Sequence, residues 1–529
     1  MANPKALPCD ELAIRSHPSV PACAAARHWV LAAAVLGSTL AYIDESVVNV
    51  ALPAIETDLH TTLPAMQWVI NAYTLCMSAL LLVGGAAADR FGRRLMFVIG
   101  VSLFAVASLA CGLAKDVTVL LAGRAVAGVG AALLVPCSLA LISTAYEERE
   151  RGAAIGIWSG ASAIAAGAAP LLGGGLVDHW SWRVIFLINP LLALPTLWIA
   201  LARVPESRDP EAPASVDWLG SLLAFAGLGA LVYGLIASSD RGWTHPAVVT
   251  SLVLGAGLLV LFVIAEHRSR APMMPLELFR SPTFSGINLL TLLLYGGLGG
   301  GFFFLPFLLI QARGFSALAA GAAYLPFTVI LGALSRWSGG LIDRFGARGP
   351  LIIGPTIAAG GFALLALSRE PYWSILVPMI VIGFGLAVTV APLTTAVLNA
   401  VPTHRTGVAS GINNAVASVG SLLVIAVLGS LAVGAMSRSL ERRLENPAAP
   451  PEVRRAVEAA RGGFVIPSLP AGLPEDERRR AQAIIAASIE DTVRMSLWLA
   501  AVLSLAGALT AVGTLPRGER RAAAAAPAR

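Results

Sequence analysis

Asp89-Arg90-Phe91-Gly92-Arg93-Arg94, set between two long apolar runs, returns as Asp343-Arg344-Phe345-Gly346-Ala347-Arg348, again between two apolar runs. The offset is 254 positions, from Asp89 to Asp343. A second pair keeps nearly the same spacing: Gly152, Gly156 and Ile157 after Arg151 match Gly407, Gly411 and Ile412 after Arg405. Two independent matches at one offset mark an internal duplication.

Working outward from these turns, stretches of about 17 to 25 mostly apolar residues read as membrane-spanning helices. They are Trp29–Leu52, Met66–Ala88, Leu95–Ala114, Val117–Ser143, Ala153–Val177, Val184–Ala202, Trp218–Ala237, Val248–Ala265, Ile287–Ile310, Ala319–Ile342, Leu351–Leu367, Trp373–Leu398, Val408–Val433 and Met495–Leu515. The order is six, two, six. Eight spans separate the repeated turns, so two six-helix halves with two helices inserted between them account for the offset. Parallel halves of this kind place a pathway along the axis between them, with binding near the midplane.

Composition agrees. Of 529 residues, 57% are hydrophobic and 13% charged, against about 25% charged in a soluble domain, and the mean hydropathy is +0.76. Spans surrounded by lipid must satisfy their own backbone hydrogen bonds, which selects helices or closed barrels. Continuous apolar runs exclude the alternating pattern of a barrel. The net charge of +6 rests on arginines placed mainly between the runs, with lysine limited to Lys5 and Lys115. That is a topological signal and not a nucleic-acid surface. Cys76, Cys111 and Cys137 lie in or beside apolar runs, Cys9 and Cys23 precede the first, and none forms a CxxC pair, so neither a disulfide framework nor a metal site is expected. No Walker lysine motif, zinc-ligand cluster or catalytic-triad signature is present, so the reading is no enzyme and no cofactor.

The segments divide as a cytoplasmic tail over residues 1–28, a first half over 29–202, two inserted helices with connectors over 203–284, a second half over 285–515 and a tail over 516–529. The first 28 residues hold prolines and charges without an apolar core, so no cleaved leader is expected. Arginine-rich short loops place both termini in the cytoplasm. The long loop 434–494 carries amphipathic stretches around Pro451–Arg461 and Pro474–Glu490 and is expected to form a helical hairpin on the outer face.

Four motifs carry chemistry. Asp44-Glu45-Ser46-Val47-Val48-Asn49-Val50-Ala51-Leu52-Pro53 sets two acids inside the first span. A carboxylate at such depth is costly and faces a wet cavity or a partner. Asp44 lies about 13 Å below the outer surface at 1.5 Å per residue. Glu45 points about 100° away and shares a face with Asn49. Arg124-Ala125-Val126-Ala127-Gly128-Val129-Gly130 puts an arginine on the fourth span at about 10 Å depth, where it can meet Asp44 or reach out to the interface. Desolvation favours a protonated carboxylate and a nearby arginine opposes it, so such a pair can be tipped by a third charge. In the repeated turn, Gly85, Asp89, Arg90, Gly92, Arg93 and Arg94, with Asp343, Arg344, Gly346 and Arg348, suit a gate whose charges engage helix ends in one conformation and release them in another. Gly156 through Pro170 to Gly173 and Gly174 makes the fifth span small-faced and kinked.

Together, in this order and over nearly the whole chain, these motifs resemble those of the major facilitator superfamily, in particular its fourteen-helix drug:proton antiporters. Ala87, Ala127, Ala165 and Ala169 stand where that pattern usually has leucine, glutamine and two glycines. The resemblance implies a proton-coupled secondary transporter in a bacterial inner membrane, exporting small amphipathic, cationic drugs or toxic compounds by alternating access. Asp44, Glu45, Asn49 and Arg124 would couple protons to substrate. Tyr73, Tyr295 and Tyr324, with Phe302 to Phe304, are candidates for the apolar cavity wall. The partners are a small molecule, protons and the bilayer, without nucleic acid, and a periplasmic adaptor is a further candidate. A symporter, an exporter of a neutral or anionic metabolite, and a membrane sensor without turnover are the competing readings.

Overall fold

The computed structural model describes residues 24–208, 217–269, 272–369, 372–402, 405–445, 454 and 474–516. Both tails as far as Cys23 and from residue 517, the stretch Pro451–Arg461 apart from Arg454, and the side chains of Arg336 and Asp343 lie outside the described residues.

The described residues are helical throughout. In chain order the helices are α1 Ala24–Asp58, α2 Leu63–Phe91, α3 Arg93–Gly112, α4 Val117–Ala145, α5 Glu148–His179, α6 Val184–Arg203, α7 Trp218–Arg241, α8 Pro246–Arg268, α9 Pro282–Pro306, α10 Ala317–Ala322, α11 Leu325–Gly339, α12 Leu341–Phe345, α13 Arg348–Leu367, α14 Trp373–Asn399, α15 Thr406–Leu444 and α16 Glu475–Thr514. Fourteen of the resulting helical stretches are long and apolar enough to cross a membrane. The protein is a multi-pass membrane protein. Its lipid-facing character is plainest on α8, where Val253 is 67% and Val260 59% exposed, as expected where lipid tails are the solvent.

Local chemistry explains several ends. The Asp116 carboxylate accepts from Val119 N at 3.0 Å and starts α4, and Asp217 accepts from Gly220 N at 2.8 Å and starts α7. Gly242, at φ +82°, ends α7.

The repeat offset maps one half's helices onto the other's. Moved by 254 positions, Asp58 at the end of α1 falls on Ala312, the end of the π-turn Phe307–Ala312 that continues α9, and Leu63 at the start of α2 falls on Ala317 at the start of α10. The counterpart of α2 is not one helix, however. The span expected over Ala319–Ile342 is broken into α10, α11 and α12; the first break falls where Pro326, near the start of α11, has no N–H for the carbonyl of Ala322, and the second at Gly340.

The loop expected over 434–494 is also shorter than read. α15 continues to Leu444 and α16 already begins at Glu475. Met436, Leu440 and Leu444 are buried at fourfold spacing while Arg438 and Arg442 are exposed, and Ala481, Ile485 and Ile489 repeat the pattern on α16. An amphipathic stripe sustains a helix without lipid, which a search for apolar runs passes over.

Two compact units result. One holds residues up to Met273 with Pro306–Ala322 and Gly429–Ile489; the other holds Met274–Leu305, Ala323–Leu428 and the residues from Glu490. In the first, α1 packs on α4, α5 and α6, and α2 on α4, around a core that includes Leu40, Phe97, Phe104 and Leu134. Two glycines on α4 permit that closeness. A Cβ on Gly128 would lie 2.4 Å from the carbonyl oxygen of Tyr73 on α2, and one on Gly130 would lie 2.8 Å from that of Gly100 on α3. Gly128 thereby brings the helix bearing Arg124 against α2.

Candidate functional site

Asp44 is fully buried in the middle of α1, and its Oδ2 is ion-paired to Nη1 of Arg124, itself only 1% exposed. The arginine therefore turns inward and does not reach for the interface. Its cradle has three more parts. Nε donates to the Val69 carbonyl at 3.0 Å, the Tyr73 ring lies 4.4 Å from the guanidinium carbon, and the Phe186 ring lies 5.8 Å away. Aromatic faces and a carbonyl are attractive to a cation in their own right. Arg124 consequently keeps favourable contacts when Asp44 is neutral. Tyr73 is held in turn by its hydroxyl, which donates to the Ala41 carbonyl at 3.4 Å.

Asp44 has a second partner that sequence reading overlooked. Asn189 of α6 donates Nδ2–H to Asp44 Oδ1 at 3.1 Å and lies 3.2 Å from Ser108 Oγ of α3. Phe186 and Asn189 are three residues apart and so share the inward face of α6. A polar side chain inside an apolar span was the available signal.

Glu45 is different. It is exposed although it sits midway along α1, and an acid at that depth is accessible only where the bundle is wet. Asn49 donates Nδ2–H to the Glu45 carbonyl at 3.2 Å and does not reach Asp44. Further along α1, Val50, Pro53 and Thr57 line a cleft of about 460 Å³ shared with Asp178, Gln311 and Phe315. Val50 stands about 9 Å along the helix from Asp44.

The aromatic candidates divide. Tyr73 is buried under the arginine, and Tyr324 is 5% exposed, with its hydroxyl donating to the Phe302 carbonyl at 3.1 Å and its ring edge-on to Phe302. Phe303 and Phe304 are fully buried. These rings are spent on packing. Tyr295 is half-buried.

α5 has two unlike ends. A Cβ on Gly152, Gly156 or Gly160 would meet nothing within 4 Å. Beyond Pro170 the helix is sealed: a Cβ on Gly173 would meet Val47 at 2.2 Å, and one on Gly174 would meet the Ala317 carbonyl oxygen of α10 at 2.2 Å. The Asp178 carboxylate also accepts from Ala317 N at 3.0 Å and Leu318 N at 2.7 Å, capping α10.

In the first repeated turn Asp89 pairs with Arg93 at 2.7 Å. A further acid, unforeseen from sequence, organises it. Glu206, 5% exposed, accepts from the backbone N–H groups of Arg94 at 2.9 Å and Leu95 at 3.0 Å, at the N-terminus of α3. Gly92 has φ +124°, and a Cβ there would lie 2.8 Å from the Glu206 carboxylate. The backbone angle requires glycine, and a side chain there would also have to push aside the Glu206 carboxylate. In the second turn Gly346 has φ +69° with open space around it, and Arg348 Nη2 donates to the Val512 carbonyl at 2.9 Å.

Residues 34–425 match the family model for the Major Facilitator Superfamily. The chain belongs to that superfamily. Among its relatives in this superfamily, Multidrug resistance protein Stp of Mycobacterium tuberculosis is 37% identical over 81% of this chain and 80% of its own length. The Tetracenomycin C resistance and export protein of Streptomyces glaucescens is 32% identical over 92% of each chain. Among solved structures, an inward-facing bacterial homolog of the human lysosomal transporter Spinster superposes with a TM-score of 0.65 at 18% identity, covering 93% of this chain and 99% of the other. That last likeness concerns the fold.

Proposed function

We propose that this facilitator exports small amphipathic, cationic drugs or toxic compounds in exchange for protons, with Asp44 as the group for which proton and cargo compete. The observation that carries the reading is a fully buried carboxylate whose charged contact among the described residues is an arginine that has other supports. Removing the negative charge from such a pair by protonation leaves the arginine held. Displacing the arginine by a cationic cargo leaves the carboxylate neutralised. Both states are compatible with one site, but not at once, which is what exchange requires. Relatives whose names record multidrug resistance and antibiotic export support the cargo class.

The arginine-rich turns at Asp89–Arg94 and Asp343–Arg348 face the cytoplasm in this proposal, with both termini on that side of a bacterial inner membrane. Uncovered Gly152, Gly156 and Gly160 then face the cytoplasm, and the cleft beside Val50 and Asp178 lies toward the outside. A periplasmic adaptor would meet the parts of α15 and α16 that continue beyond the apolar spans. Membrane voltage adds about 2.3 kcal/mol per charge per 100 mV to the proton gradient.

The test is pH-gradient-driven efflux of a fluorescent lipophilic cation from proteoliposomes, comparing wild type with Asp44→Asn. Wild type is expected to pump and the variant to lose gradient-driven transport. Equal pumping by both would remove Asp44 from the mechanism and turn attention to Glu45.

A further inference from the structure

The amide of Asn189 is fully buried, yet only half of it is used. Its Nδ2 faces two acceptors, Asp44 Oδ1 at 3.1 Å and Ser108 Oγ at 3.2 Å. Its Oδ1, also buried, meets no donor among the described residues. A buried carbonyl oxygen without a donor costs about 1–3 kcal/mol, so it calls for an explanation. The charge on Asp44 supplies half of one. Turned the other way, the amide would set oxygen against a carboxylate.

We propose that Asn189 is an amide switch that reads the protonation of Asp44, a positioning residue for the exchange. With Asp44 ionised, the amide donates N–H to its Oδ1, as seen. When a hydronium ion gives its proton to that carboxylate, an O–H bond forms at Asp44 as one O–H bond of the hydronium breaks and water departs. The acid becomes a donor and needs an acceptor. Rotation of the Asn189 amide about its last side-chain bond, a soft two-fold torsion, presents the idle Oδ1 to it. Ser108 Oγ can donate or accept, so it follows the turn. Asp44 is then hydrogen-bonded at one position in both protonation states, with the other end of the amide left over in each. This rests on the proton-coupled reading above.

The ionisable groups around the switch are few. Asp44, Glu45 and Tyr42 come from α1, Tyr73 from α2, Cys111 from α3 and Arg124 from α4. α5 carries its ionisable groups at its two ends, and α6 offers the site only the Asn189 amide and the Phe186 ring. None of the others bonds Asp44 except Arg124, which cannot accept a hydrogen bond. Asn189 is therefore the acceptor available to a protonated Asp44.

The experiment is infrared difference spectroscopy of the full chain in lipid vesicles, low pH minus high pH, with Asp44→Asn, Asn189→Leu and Asn189→Ser beside wild type. Wild type should show a carboxylic-acid C=O band together with a side-chain amide change. Asp44→Asn should lose the component of that band that Asp44 contributes, together with the amide change. Asn189→Leu, close in volume but without polar atoms, should keep the acid band, shifted to the higher frequency of an acid without an acceptor, and lose the amide change. Its gradient-driven efflux should fall about tenfold, the worth of one hydrogen bond to a charged group. Asn189→Ser, whose hydroxyl can turn either way, should bring back both the band position and most of the transport. An acid band unmoved by Asn189→Leu overturns the switch. An acid band and an amide change both left identical to wild type by Asp44→Asn instead overturn the assignment of the proton to Asp44, which is a failure of the underlying reading and is distinguishable from the first.

Discussion

The two halves share a helix plan but not a charge plan. In the first, Asp44 and Arg124 are buried as an ion pair. Moved by the repeat offset, those positions become Leu298 on α9, 8% exposed, and Pro378, buried on α14. Among the described residues, the interior of the second half includes a neutral network, in which Asn413 donates to Asn288 Oδ1 at 3.1 Å and to Thr291 Oγ1 at 2.9 Å, while its Arg494–Glu490 pair at 2.9 Å is only part-buried. Its Arg405–Glu277 pair, at 3.1 Å, is exposed, with 37% and 68% of the side chains accessible. The fully buried ion pair of the first half has no charged counterpart at the repeat-related positions. Under the proposed exchange, the first half is where a proton acts.

The largest expected effect breaks the comparison at its charged end. Removing one partner of a buried pair costs about 3–5 kcal/mol, whereas replacing both with neutral groups is often neutral or stabilising. Asp44→Asn and Arg124→Gln should each lower the thermal stability of the detergent-solubilised protein, Asp44→Asn less so because Val69 and the two rings still hold the arginine. The double variant should recover most of the loss while still failing to couple transport to a pH gradient. Leu298→Met, a volume-conserving change, should leave both measurements near wild type, within about 1.5 kcal/mol. A double variant no more stable than the singles would mean that the pair is not an isolated energetic unit.

The middle effect sharpens the comparison at the repeated turns. Gly92→Ala must place a side chain at φ +124° and within 2.8 Å of Glu206, whereas Gly346→Ala meets only its φ of +69°. Strain of this kind is worth about 1–3 kcal/mol, and the collision adds to it in the first turn alone. Gly92→Ala should destabilise the protein by about 2–3 kcal/mol and Gly346→Ala by about 1 kcal/mol, read as midpoints of thermal unfolding. Equal losses would show that the Glu206 cap does not distinguish the turns.

Much of this plan was legible in the sequence, for reasons that also say where reading stops. The fourteen spans follow from apolar length alone, and the duplicated turn from identity at a fixed offset. That Asp44 and Arg124 lie at similar depth followed from counting residues down two helices, because a helix converts sequence distance to depth; that the arginine turns inward to the acid took the packing around it. Glu206 and Asn189 escaped because their partners, Arg94 N and Asp44, are distant in sequence and are joined to them by tertiary packing. The break at Pro326 carried a signal, but an apolar run hid it. The amphipathic stretch read over Pro474–Glu490 is the beginning of α16, whereas the end of α15 escaped because Met436, Leu440 and Leu444 form a stripe too narrow to register as a membrane span.

The smallest effect lies at the exposed end of the comparison. Arg405 and Glu277 are within contact distance like Asp44 and Arg124, so a reading from distance alone would rank the two pairs together. Exposure separates them. An accessible pair gains little Coulomb energy, gives up side-chain freedom and is screened by salt, so exposed pairs contribute about 0–1 kcal/mol. Glu277→Gln should therefore move the thermal midpoint by no more than a degree or two, about 0.5 kcal/mol, and leave gradient-driven efflux unchanged. Efflux reduced by this variant with stability intact would assign the second half an ionic role in transport, and the asymmetry between the halves would have to be drawn along conformational lines instead of burial.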